Sequence, residues 1–161
     1  MTTARRFLVL VALMFWLGGF TFYAAVVVPI GTEILGSASA QGFVTRVVTN
    51  YLNLSAAIGC LLFLWDSAAV KVMQKPRLAC CLGIMVALAV LVWLHPRMEE
   101  LLDPERERVL SRSTFGPLHR TYLWVSTAQW AFGAAFALLT VLAWRKADRS
   151  AVKSLEKTDK V

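Results

Sequence analysis

Four stretches of the chain are apolar over lengths that an amphipathic pattern does not explain. Their apolar cores cover about residues 7–30, 51–70, 78–94 and 122–144. A hydrocarbon core of about 30 Å is crossed by roughly 20 helical residues. None of the stretches holds an internal Asp, Glu, Lys or Arg, except that the second reaches Asp66 at its far end. A buried helix of a soluble protein keeps a polar face over such a length. With their helical flanks, the stretches predict helices at about 7–30, 44–70, 78–95 and 117–144. The expected fold is all-α: a polytopic membrane protein, built as a four-transmembrane-helix up-down bundle over residues 1–147.

The polar positions between and within these helices add detail. Pro29 and Gly31 loosen the end of the first helix. The hairpin "DSAAVKVMQKPR" is short, so the second and third helices are antiparallel neighbours. Pro96 disfavours helix at His95 and predicts the third helix's exit there. In the long loop that follows, "DPERERVLSRS" looks like a helix start: Asp103 can cap, Pro104 suits the first position and acids crowd the first turn. A short interfacial helix is expected there. "STFGPL" then breaks the chain ahead of the fourth helix. Within that helix His119, Tyr122, Ser126, Gln129, Gly133 and Thr140 recur at helical spacing and share one face. Asn50 and Asn53 stand on one face of the second helix together with Arg46, and Thr21 and Tyr23 come from the first. Polar groups in hydrocarbon must find partners, so these residues predict a polar pocket inside the bundle. Pairs of small residues (Ser55 and Gly59, Gly83 and Ala87, Gly133 and Ala137) predict close helix packing.

Composition agrees with the pattern. The chain is 58% apolar over 161 residues, with mean hydropathy +0.60, against about 45–50% apolar for soluble domains. The net charge of +7 would suit nucleic acid, but no basic stripe is interleaved with aromatics. Its distribution decides the matter. Segments on the side of the termini hold eleven Lys and Arg and four acids, and the opposite segments hold six of each. The positive-inside rule then puts both termini in the cytoplasm. Residues 148–161 read as a disordered basic tail, a topology anchor that suits anionic lipid. "MTTARRFLVLV" imitates a signal peptide and "ASA" a cleavage site, but the apolar run is too long, and an uncleaved helix is expected. Cys60, Cys80 and Cys81 read as small apolar side chains.

The chemistry-bearing residues gather on the outer side under this topology. His95 closes the third helix and His119 opens the fourth, each beside an arginine, Arg97 and Arg120. Neutral histidines ligate metals, so His95 and His119 could hold haem or copper. A zinc or copper site usually uses three or four ligands. The other readings are histidines hydrogen-bonded at the bundle mouth, and capture of an anion by Arg97, Arg120 and a histidine. No nucleophile elbow, metalloprotease motif or phosphate loop occurs.

"GGFTFYAAVVVPIGTEILG" (18–36), "RVVTNYLNLSAAIG" (46–59), "LHPRMEELLD" (94–103) and "FGPLHRTYLWVSTAQW" (115–130) together resemble the TMEM205-like membrane proteins, the DUF4149 group in bacteria. The resemblance spans about residues 7–144. It implies a four-helix integral membrane protein, marks His119 as a position of interest and supplies no reaction. A weaker likeness is to four-helix haem or copper proteins of the copper-resistance D type. The expectation is therefore a non-enzymatic multi-pass protein of a bacterial inner membrane. Its pocket, formed by His119, His95, Arg120, Arg97, Asn53, Asn50, Gln129, Tyr122 and Ser126, would bind or pass a small ligand or ion. The alternatives are a haem- or copper-binding redox protein using His95 and His119, and a scaffold subunit. The expected partners are the bilayer and a homo-oligomer or another membrane protein, with no nucleic acid.

Overall fold

The computed structural model describes residues 2–103 and 108–158, with side chains for 2–103 and 109–154. Four helices long and apolar enough to cross a membrane dominate it. They are α1 (Thr2–Ile34), α2 (Ala38–Ala69), α3 (Gln74–Glu99) and α4 (Arg112–Thr158). The chain is a multi-pass membrane protein of all-α architecture.

The helix ends differ from expectation, each for a local reason. α1 runs through Pro29 and stops at Gly36, whose φ of +64° suits a residue without Cβ. Proline cannot donate to the carbonyl one turn back. The turn Tyr23–Val27 just before it is a π-turn, as is Met14–Gly18; such turns shift the hydrogen-bond ladder by one residue and absorb a break. α2 begins earlier than expected because the Ser37 hydroxyl accepts from the Ala40 amide at 3.3 Å.

α3 does not end at His95 but continues through Pro96 to Glu99. The Arg97 Nη1 donates to the Trp93 carbonyl at 2.8 Å, in the turn that Pro96 loosens. α4 likewise runs through Pro117 and begins at Arg112, with the Phe115 amide bonded to the Ser111 carbonyl. At its other end α4 persists to Thr158, where a disordered tail was expected from 148. No Gly or Pro follows Pro117 except Gly133, and Ala, Lys, Arg and Glu favour helix.

The loop between α3 and α4 is also not as expected. β1 (Leu102–Asp103) pairs antiparallel with β2 (Arg108–Val109), so a two-stranded ladder stands where a helix was predicted. Pro104, the predicted first helical residue, lies outside the described residues. Leu101 also accepts from the Leu110 amide, and this hairpin pairing replaces a helix that would be too short to be stable by itself.

The core is aromatic at mid-depth. Phe63 of α2 stacks on Phe136 of α4 at 4.6 Å and meets Trp16 of α1 at 6.2 Å. Here the small residues seat rings more than they bring backbones together. A Cβ on Gly133 would stand 2.7 Å from the Trp16 ring, and one on Gly83 2.8 Å from Phe132. The contacts fix the arrangement of the ends. Arg6 near the start of α1 binds Asp148 in α4, so the two termini share one end of the bundle.

Candidate functional site

Two polar layers flank the aromatic core. On α2 they are marked by Asn53 and Asp66, thirteen residues and about 20 Å apart.

The layer away from the termini holds the predicted pocket. Asn53 donates to the Tyr122 hydroxyl at 3.1 Å. Tyr122 is buried with Leu91 and Leu94, and Val90, Met98, Leu118 and Val125 close around them. Below Tyr122 on the same face of α4, Ser126 and Gln129 are buried. The stripe read from the spacing thus faces the bundle. His95 lies above, its ring 6.4 Å from that of Tyr122. Its Nε2 lies 3.3 Å from Glu99, and Glu99 is 3.7 Å from Arg46. The helical turn past Pro96 is what brings Glu99 under His95 at four-residue spacing.

Four predicted residues stand apart from this group. Asn50 and Arg120 are exposed. Arg97 folds back onto Trp93, its guanidinium 3.5 Å from the ring centroid, on its own helix. His119 is half-buried and stacks on Phe115 at 5.6 Å. The two imidazoles are therefore engaged separately, one by Glu99 and one by Phe115. Among the described residues no three His, Cys, Asp or Glu converge as a metal site needs.

Two buried nitrogens in this layer make no hydrogen bond among the described residues: His95 Nε2, which has only the 3.3 Å approach of Glu99, and Gln129 Nε2. Gln129 is 2% exposed, and its Nε2 has no hydrogen-bond partner among the described residues. An amide donor left unmade in a dry interior costs about 1–3 kcal/mol, so a buried orphan of this kind calls for a partner.

The layer at the termini was missed by the sequence reading. Asp66 and Arg77 are both fully buried and paired. Asp66 also accepts from Arg5 Nε at 2.7 Å and from Trp144 Nε1 at 3.0 Å. Arg77 donates further to the Thr140 hydroxyl at 3.1 Å and lies over the Phe136 ring at 5.3 Å. One carboxylate thus joins all four helices. Beside it Arg6 grips Asp148 through two bonds of 2.9 and 2.6 Å and lies 5.3 Å from the Trp144 ring. This is the fork geometry that arginine makes with carboxylates. A signal was present: Asp66 is the one acid inside an apolar stretch, and such a residue demands a partner. Arg77 lies just across the short turn, whose Met73 takes the left-handed conformation at φ 52°.

No family model, curated protein or solved structure matches the chain.

Proposed function

We propose that the protein is a non-catalytic membrane module that takes a small polar ligand or ion into the seam beneath His95. Gln129 carries this reading. Its buried amide donor lacks an acceptor, and it stands at the foot of a column formed by Asn53, Tyr122 and Ser126. A ligand acceptor atom arriving there gains a hydrogen bond that the surrounding side chains do not offer. His95, Glu99 and Arg46 form a charged mouth above the column. By the positive-inside rule the termini lie in the cytoplasm and this mouth faces outward, which suits a protein of a bacterial inner membrane of the TMEM205-like kind.

Thermal unfolding of the detergent-purified protein with a panel of small anions, cations and polar solutes tests the reading. A ligand at 100 times its Kd stabilises by about 2.7 kcal/mol, so one panel member should raise the midpoint. The response should vanish in Gln129→Leu. A flat response across the panel contradicts the proposal. Reporter fusions at the C-terminus check the orientation: a cytoplasmic reporter should be active and an exported one silent.

A further inference from the structure

Between α1 and α4 the bundle is open to the side. The two helices meet where Trp16 and Leu17 cover Gly133, where Trp130 Nε1 donates to the Thr21 hydroxyl at 2.9 Å, and where Arg6 meets Trp144 and Asp148. From the last of these points a groove of about 310 Å³ runs inward between the helices. Leu10, Leu13 and Leu17 form one wall, and Ala137, Val141 and Trp144 the other. Its exposed lining is wholly apolar. Gly18 ends it, and a Cβ there would meet nothing within 4 Å. The π-turn Met14–Gly18 forms part of the wall.

The groove is about 12 Å long from Leu10 to Gly18, close to the depth of one leaflet of a core of about 30 Å. Its charge is all at one end. Arg6 lies one turn before Leu10 on the same face of α1. Its Nε is shielded from solvent and has no acceptor among the described residues. Arg145 lies one turn beyond Val141 on the α4 wall and is exposed. A second groove continues past Gly18, lined by Thr21, Phe22, Ala25, Val26 and Trp130, with no charged residue in its lining.

We infer that the first groove is a binding site for an anionic phospholipid of the termini-side leaflet. One acyl chain lies along the leucines of α1, and the phosphate meets Arg145 and the edge of Arg6. The shape and the charge fit each other: a slot one leaflet deep, greasy along its length, with Arg145 at its mouth beside the Arg6–Asp148 pair. An apolar transmembrane helix gains nothing from a cation at the mouth, whereas a lipid phosphate does.

Native mass spectrometry of the full chain released from vesicles of equal phosphatidylglycerol and phosphatidylcholine tests the assignment. The protein should retain phosphatidylglycerol in about fivefold preference, the scale of one surface arginine acting on an anionic lipid. Arg145→Gln should bring the preference near one while lipid is still retained. Gly18→Leu fills the end of the groove and should lose the retained lipid. Val141→Trp obstructs the groove from its rim and should do the same if Gly18→Leu folds poorly. Equal retention of the two lipids by the wild-type chain overturns the assignment. So does undiminished retention in both groove variants. A two-chain species that these variants dissociate would make the groove a protein interface instead. Gln129→Leu should leave lipid retention unchanged, which separates this test from that of the seam.

Discussion

The two polar layers of this bundle hold similar numbers of polar groups and use them in opposite ways. At the termini end, Asp66 is surrounded by donors from three other helices, Arg5, Arg77 and Trp144. At the opposite end, Tyr122 is bonded to Asn53 while Gln129, seven residues on, has an idle donor. A carboxylate surrounded by donors in low dielectric, as Asp66 is, rigidifies what it joins, and a buried donor without an acceptor, as in Gln129, is poised to take something more. The first layer thus reads as the clasp that fixes the helices, and the second as the place where a ligand has something to gain.

The contrast between the layers is greatest at Asp66. Asp66→Ala leaves two guanidiniums without their carboxylate, one of them fully buried. Removing one member of a buried pair costs about 3–5 kcal/mol, so unfolding in detergent should show a loss of this size or failure to fold. Next comes the ring contact between the layers. Gly133→Ala presses a Cβ onto the Trp16 ring and should cost about 1–3 kcal/mol as overpacking, measured the same way. Tyr122→Phe removes the acceptor of Asn53 and should cost about 0.6 kcal/mol, the average for hydrogen bonds between membrane helices. Glu99→Gln touches only the part-exposed contacts with His95 and Arg46 and should change stability by less than about 1 kcal/mol. If it costs as much as Asp66→Ala, the two layers are not different in kind.

The sequence made some of this legible and concealed the rest. Four membrane helices follow from apolar length alone, because lipid leaves no other economical way to satisfy the backbone. The inward stripe of α4 follows from spacing, and Tyr122, Ser126 and Gln129 are indeed buried. Helix ends did not follow. Pro29, Pro96 and Pro117 all lie inside helices. In soluble proteins each is a strong stop; in membrane helices local π adjustments, such as the turn Tyr23–Val27 before Pro29, let the helix continue. The ionic clasp was hidden for another reason. Arg5 and Arg77 were counted only among the eleven basic residues on the side of the termini, and nothing in their spacing says that they share a carboxylate. His119 drew attention as the head of the stripe, yet it stacks on Phe115 beside the seam. Glu99 was only one of the six acids counted on the far side, and the turn past Pro96 brings it to His95.

The most direct test of the difference between the layers compares Asp66→Ala with Gln129→Leu by reversible unfolding in one detergent, without added ligand. Gln129→Leu removes an unpaired buried donor at little change in volume, so it should leave stability unchanged or raise it, while Asp66→Ala loses about 3–5 kcal/mol. A loss in Gln129→Leu equal to that in Asp66→Ala would contradict the account, because it would mean that the seam is as fully bonded as the clasp.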